Sequence, residues 1–256
     1  MSIGNYQQTI YMSKNVVVIT AISGEVDISY KSLCLNTWKH WCNRHDVELI
    51  ILESGVMDTD YMKPTWQRWY VFDILKMHAI DYNQVALVDV DTMIHWNAPN
   101  FFDETDNKFS ACVDNDNIGW VKESIDGYRK FFKAELDWEN YFNCGFIVIN
   151  QVHNKLCDEI KKFRNDNHSE LVDLQKTLKK GTDQTPVNYI VNDSEFTVNY
   201  LSKKWNLTHL NRKEILQNNV FVDLGWVWHF NGFDKAHRTP LMQRTWDGIK
   251  DNYKIK

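Results

Sequence analysis

The chain has 256 residues, 43% of them hydrophobic and 25% charged, which is ordinary for a globular protein able to bury a sizeable core. Its net charge of −5, with no long basic run, excludes the electrostatic footprint of a nucleic-acid binder. No stretch approaches the roughly 18 apolar residues of a membrane span, and residues 1–15 hold no apolar run of signal-peptide length. Five cysteines (34, 42, 112, 144 and 157), odd in number and without CxxC spacing, read as free thiols in a reducing compartment and point to a cytoplasmic protein.

In chain order, Asn15 to Ile22 reads as a buried strand ending in polar Thr20 and the turn Ser23-Gly24. Asp27 can cap a helix whose positions Tyr30, Leu33, Thr37, Trp38 and Trp41 follow helical spacing. Val47 to Leu52 is a second strand, so the first fifty residues form a βαβ unit and imply a parallel sheet. Trp66, Trp69, Tyr70, Ile74 and Met77 mark a second helix that leads into the strand Val85-Ala-Leu-Val88. Phe109–Val113 and Gly145–Ile149 read as further strands, with an irregular polar and aromatic excursion from Asp114 to Trp138 between them. A helix is predicted over about 152–163 and another around Val187–Ile190. Short strands are predicted at 196–200, 219–222 and 226–230, and a terminal helix at 240–253. Without repeats, low-complexity tracts or a linker, the chain reads as one α/β domain.

The stretch Val85 to Asp91 organises the functional reading. Residues i and i+2 of an extended chain point the same way, so Asp89 and Asp91 emerge together from the end of a buried strand. Two adjacent carboxylates repel unless something positive sits between them, and a hard divalent ion such as Mg²⁺ or Mn²⁺ is the natural partner. Their repulsion also predicts local strain without metal. Asp-x-Asp occurs twice more, at Asp58/Asp60 and Asp114/Asp116, but both lie among loop-forming residues. Only Asp89/Asp91 ends a buried strand, where ligands of open α/β sheets bind.

Other stretches are modest singly. Asn143 precedes the strand at 146–150 and can both donate and accept, and Gly145 permits close backbone approach. Asp183-Gln184 stands at a predicted helix start, where Asp183 by itself reads as a cap. His229 ends a strand in His229-Phe-Asn-Gly232-Phe-Asp-Lys235. Imidazole suits borderline metals, Gly232 gives backbone freedom and Lys235 offers a compact charge for phosphate. By itself, a His on an apolar strand is more often a hydrogen-bonded core residue.

Taken in order, Thr20-Ala21-Ile22, Val85–Thr92, Phe142-Asn143-Cys-Gly145 to Asn150, Asp183-Gln184 and His229-x-x-Gly232-x-x-Lys235 resemble the GT-A glycosyltransferases. Within them the likeness is to family 8, the glycogenin and lipopolysaccharide galactosyltransferase-like enzymes. The resemblance implies a Rossmann-like, mostly parallel central sheet flanked by helices. It also implies a nucleotide-binding half over 14–113 and a donor-sugar and acceptor half over 114–256. Asp89, Asp91 and His229 would hold Mn²⁺ (or Mg²⁺), Lys235 would contact the diphosphate, and Asn143, Asp183 and Gln184 would line the donor sugar and its reacting carbon. The chain departs from the family at Cys144, usually Ser, and at Lys235-Ala-His237, usually Lys-Pro-Trp. The helix Pro64-Thr-Trp-Gln-Arg68-Trp resembles that of fungal-type galactosyl- and mannosyltransferases with the same core, which implies that Arg68 reaches the donor.

The function implied is transfer of a hexose from a nucleotide diphosphate sugar, UDP being the family's commonest nucleotide, to a hydroxyl of a glycan or other acceptor. Family 8 enzymes retain the anomeric configuration, which needs no strong base. An inverting reaction would need a carboxylate base, for which Asp114, Asp116, Asp137 and Glu139 are candidates. Trp120, Trp138 and Tyr141 are candidates for stacking on a sugar ring. Two alternatives stand beside this reading: a sugar nucleotidyltransferase, which Thr20 to Asp27 disfavours because it holds one Gly and two acids instead of a Gly-rich basic loop, and a silent nucleotide-sugar binder.

Overall fold

The structure, a computed structural model, describes residues 13–22 and 28–253. The predicted turn Ser23-Gly24 and cap Asp27 lie outside the described residues. The strands, in chain order, are Val16–Thr20 (β1), Glu48–Leu52 (β2), Gln84–Asp89 (β3), Thr92–Ile94 (β4), Phe109–Val113 (β5), Phe142–Asn150 (β6), Val198–Leu201 (β7) and Val227–His229 (β8). Six form one mostly parallel sheet in the order β2-β1-β3-β6-β5-β7. β1 runs parallel to β2 and β3, β5 runs parallel to β7, and β6 is antiparallel to both β3 and β5. β4 and β8 form a separate antiparallel pair, with Thr92 opposite His229.

Alternation along the strands covers both faces of the sheet. Val16, Val18, Val85, Leu87, Ile147 and Ile149 pack into one core. Val17, Ile19, Ala86, Val88, Phe146 and Val148 pack into the other, against Trp38 and Trp41 of the helix Ile28–His45 (α1). The four Trp expected at helical spacing are therefore core residues, with Trp66 and Trp69 in the opposite layer. All five cysteines are free and buried.

The helix expected at Trp66–Met77 is broken: Pro64–Gln67 (α2) and Val71–Met77 (α3) flank a tighter 3₁₀ turn at Arg68–Tyr70, which buries Arg68. The excursion after Asp114 contains a regular helix, Ile118–Tyr128 (α4). Its buried stripe is Val121, Ser124, Ile125 and Tyr128, and the polar Ser124 within it hid the period. Asn154–Asp166 (α5) confirms the helix expected there, and His168–Leu178 (α6), not predicted, follows it. Gln184–Asn192 (α7) starts where the Asp183-Gln184 pair indicated. The strand expected at 219–222 is instead helical. Asn218 and Asn219 both adopt positive φ (55° each), which breaks an extended run, between the short helices Lys213–Leu216 (α8) and Phe221–Leu224 (α9). The last helix, Lys235–Ile249 (α10), begins five residues before the predicted start, because Asp234 caps it by accepting from the His237 N–H and Pro240 is accommodated inside. No helix among the described residues is long and apolar enough to cross a membrane.

Candidate active site

β3 ends at Asp89, and β4 begins three residues later. Because Thr92 pairs with His229, and the Phe230 N–H donates to the Asp91 carbonyl (2.9 Å), the far C-terminal His229 is brought back beside the two aspartates. Its Nε2 lies 3.2 Å from Asp91 Oδ1 and 3.6 Å from Asp89 Oδ2. One ligand atom from each of Asp89, Asp91 and His229 lies within 4.8 Å of the others.

The protein supplies its own countercharges to this pair, which corrects the expectation of carboxylates strained by mutual repulsion. Arg68, 3% exposed, places Nη2 2.7 Å from Asp89 Oδ1 and Nε 3.8 Å from Asp183 Oδ2, and donates from Nη1 to the Cys144 carbonyl (2.5 Å). Arg238 of α10 places Nη1 3.2 Å from Asp91 Oδ2. Burial by itself would raise the Asp91 carboxyl, but His229 and Arg238 outweigh it and hold Asp91 below the ordinary carboxylate value. The same contest runs the other way at His229: burial would lower its pKa, but Asp91 foremost, with Asp89 and Asp114, raises it above 6.5.

β6 brings up the opposite wall. Its pairing with β5 shifts between Ala111 and Cys112, from Ala111↔Ile147 to Cys112↔Asn143, so residues 144–146 leave that ladder. Gly145 thereby comes against the end of β3, and the sequence-level expectation of close approach holds. A Cβ built there would sit 2.3 Å from His229 Cε1 and 2.8 Å from Asp89 Oδ2. Gly145→Ala is therefore expected to displace His229 and weaken Mn²⁺ binding at least tenfold, with an overpacking cost of about 1–3 kcal/mol. Metal titration and thermal melting of the variant check this, and unchanged affinity would show that the contact yields without moving His229.

Asp183 does not cap α7. No side-chain cap bond is made, and its Oδ2 instead accepts from Trp69 Nε1 (3.2 Å) beside Arg68. Burial raises the Asp183 carboxyl, only partly opposed by Arg68. Gln184 is fixed at both ends of its amide. Oε1 accepts from the Cys144 N–H (3.2 Å), and Nε2 donates to Asp114 Oδ2 (3.0 Å). Asn143 Nδ2 donates to the same Asp114 oxygen (3.0 Å). Asp114, assigned to a loop by its sequence context, is thus a buried member of the site. Burial would raise its carboxyl, but donors from His209, Asn143 and Gln184 hold it low.

A cavity of about 500 Å³ is bounded by Arg68, Asp89, Asp91, Asn143, Asp183, Gln184, His229 and Gly232, a size suited to a small-molecule site. Gly232 takes φ +74°, the backbone freedom expected of it. Thr20 borders an adjoining space of about 150 Å³ with Arg68, Asp89, Asp91 and Arg238, whereas the Ala21 and Ile22 side chains pack into the core. The Lys235 side chain lies outside the described residues. Of the three aromatics proposed for stacking, Trp120 lines the cavity. Tyr141 is fully buried with its hydroxyl 2.7 Å from Thr185 Oγ1, and Trp138 lies away from the cavity lining. Sequence reasoning named Asp114 only as one of several possible bases, and missed Asn206, His209 and Arg238 as members of the site. Arg238 had a signal, falling one helical turn after Lys235.

No protein-family model matches the chain, and no curated protein matches it in sequence. Solved structures do match in shape. A glycosyltransferase involved in the glycosylation of the major capsid of PBCV-1 superposes with a TM-score of 0.58 at 12% identity, over 91% of this chain and 100% of that one. The chain shares its fold with solved glycosyltransferases. The bifunctional glycosyltransferase WbbM, in its apo structure, matches with a TM-score of 0.53 at 14% identity, over 99% of this chain. The chain spans about half of WbbM, 54% of its length. At these identities the likeness is one of fold.

Proposed function

We propose that this protein is a metal-dependent glycosyltransferase of family 8 type. It would move a hexose from a nucleotide diphosphate sugar, UDP-linked before GDP-linked, to a hydroxyl of a glycan or other acceptor, with retention. The observation that carries this reading is the convergence of Asp89, Asp91 and His229 on a cavity that also gathers Arg68, Asn143, Asp183 and Gln184, within a glycosyltransferase fold.

The residues fit the cation that the fold implies. Two carboxylates and an imidazole form a donor set for Mn²⁺ or Mg²⁺, with mutual spacing under 4.8 Å. Bound there, the ion would neutralise charge on the diphosphate leaving group as a Lewis acid. The rest falls to the chain's own side chains. Arg68, buried and held by two carboxylates and a carbonyl, is a fixed positive charge at the floor of the site. Among the described residues the buried Arg238 Nε meets no hydrogen-bond partner, and Lys235 stands one turn before it on α10, so this end of the helix brings positive charge to the diphosphate side. Asn143 and Gln184, fixed by backbone N–H groups, present uncharged polar surface to the sugar. Each cavity carboxylate is already engaged: Asp89 by Arg68, Asp91 by His229 and Arg238, Asp114 by Asn143 and Gln184, and Asp183 by Arg68 and Trp69. That arrangement supports a retaining reaction, in which the departing phosphate accepts the acceptor's proton.

Calorimetry with UDP and GDP tests the proposal. Tight binding of one nucleotide is expected only with Mn²⁺ or a similar ion, and equal affinity in excess EDTA would overturn the site. The raised pKa of His229 adds a pH signature. Metal must displace the imidazole proton, so Mn²⁺ affinity should rise about tenfold per pH unit up to that pKa and then level off. In metal-free protein the sign is opposite. The His229 contribution to stability is complete below about pH 6.5 and is lost as pH rises through the folded value. Melting curves across pH 5.5–8.5, with and without Mn²⁺, should therefore diverge as pH increases, and parallel curves would count against His229 as a ligand.

A further inference from the structure

Asn206 belongs to a sequon, Asn206-Leu207-Thr208, yet it is buried and both ends of its amide are engaged. Its Oδ1 faces His229 Nδ1 at 3.0 Å, and its Nδ2 donates to Asn143 Oδ1 at 2.9 Å. Asn143 Oδ1 also accepts the Gly145 backbone N–H (2.8 Å), and Asn143 Nδ2 donates to the Asp114 carboxylate (3.0 Å). A backbone N–H can only donate, and a carboxylate held ionised can only accept. These two fixed ends leave one orientation for the Asn143 amide, which in turn leaves one for Asn206. His229 Nδ1 therefore meets an acceptor.

We propose that Asp114, Asn143 and Asn206 form a one-way hydrogen-bond chain that holds a proton on His229 Nδ1, so that Nε2, the nitrogen facing Asp89 and Asp91, is the one left to coordinate a metal ion. Asn206 is the positioning residue of this chain: it touches the ring on the side away from the aspartates and acts through His229. Asp91, 3.2 Å from Nε2, is the competing acceptor: without Asn206 the ring proton has no partner at Nδ1, and a proton held at Nε2 by Asp91 blocks coordination. An acceptor on the far side of the ring orients an imidazole ligand and raises its basicity. The inference rests on the proposed metal site for its function, but not for its structural content.

The proton on Nδ1 is read directly from the ring ¹⁵N shifts of His229 in protein loaded with Mg²⁺, a diamagnetic ion that leaves the spectrum readable. The expected result is Nδ1–H in the wild type. Asn206→Leu, of similar volume but without the acceptor, should lose that signature and bind Mn²⁺ about 10- to 100-fold more weakly. Asn206→Asp keeps an acceptor for Nδ1–H but sets a second acceptor against Asn143 Oδ1, so it should retain the Nδ1 proton and bind Mn²⁺ more tightly than Asn206→Leu, at some cost in stability. A packing role alone would let a folded Asn206→Leu bind Mn²⁺ as tightly as wild type. That result, or an Nε2–H signature in the wild type, overturns the proposal. Should Asn206→Leu fail to fold, the wild-type spectrum and Asn206→Asp decide. Failure of wild-type protein to bind Mn²⁺ or Mg²⁺ at all would overturn the metal site, and a proton still found on Nδ1 in that protein would leave the Asn206 contact supported.

Discussion

Arg68→Met is expected to lower stability by about 3–5 kcal/mol, the cost of leaving buried charge without its partner. Arg68 is 3% exposed and is the shared cation of Asp89 and Asp183. Methionine fills much of the same volume but leaves Asp183 without its opposing charge and the Cys144 carbonyl without its donor. The Asp183 carboxyl, already raised by burial, should rise further. A carboxyl whose folded pKa lies above its unfolded value loses stability as pH rises through the folded value. The deficit of Arg68→Met should therefore be larger at pH 8 than at pH 5. Denaturant unfolding at the two pH values measures it. A deficit below about 1 kcal/mol, or one independent of pH, would place the buried pair among those that contribute little.

Asp91→Asn should abolish the metal response. In the wild type, Mn²⁺ at a hundredfold excess over its Kd should stabilise the fold by about 2.7 kcal/mol through mass action. The amide keeps the shape of the carboxylate but not its charge, so the rise in melting temperature with Mn²⁺ should vanish, together with any sugar transfer. The metal-free variant should also melt below wild type. From the sequence, mutual repulsion of Asp89 and Asp91 predicts the reverse, a variant melting no lower. The structure changes that expectation, because His229 and Arg238 already neutralise Asp91 and would lose their partner. Asp114→Asn, attractive from the sequence as an inert comparison, is not inert: Asp114 accepts from both Asn143 and Gln184. Asp58→Asn and Asp60→Asn, in the exposed loop, are the appropriate controls. Retention of the Mn²⁺ shift by Asp91→Asn would remove this residue from the ligand set.

The central strands were legible in the sequence because their signal is local. Val16–Thr20, Gln84–Asp89 and Phe142–Asn150 are apolar runs buried on both faces, and an apolar run needs no distant partner to be recognised. The period-two geometry of β3 likewise sufficed to place Asp89 and Asp91 side by side. Gly145 and Gly232 carried their own meaning, since a missing side chain constrains the backbone wherever it falls. Where the local signal was mixed, the reading went astray. Ser124 interrupts the apolar stripe of α4, and paired asparagines at positive φ turned the apolar residues at 220–222 away from an extended strand.

Only the tertiary structure decided the electrostatics. Arg68 and Asp183 are 115 positions apart, and Arg238 follows Asp91 by 147, so no spacing rule could pair them. The short sheet of β4 and β8 decides that His229 meets Asp91, and the slipped register between β5 and β6 decides that Asn143 and Gly145 face them. Asp114 was legible only as one of several carboxylates that could serve as a base, and Asn206 carried no site signal, since a polar residue in a loop-like stretch looks the same whether solvated or buried. Burial is what gives them a role. Removed from water, each must find a protein partner, and the partners available within this fold are the residues around His229.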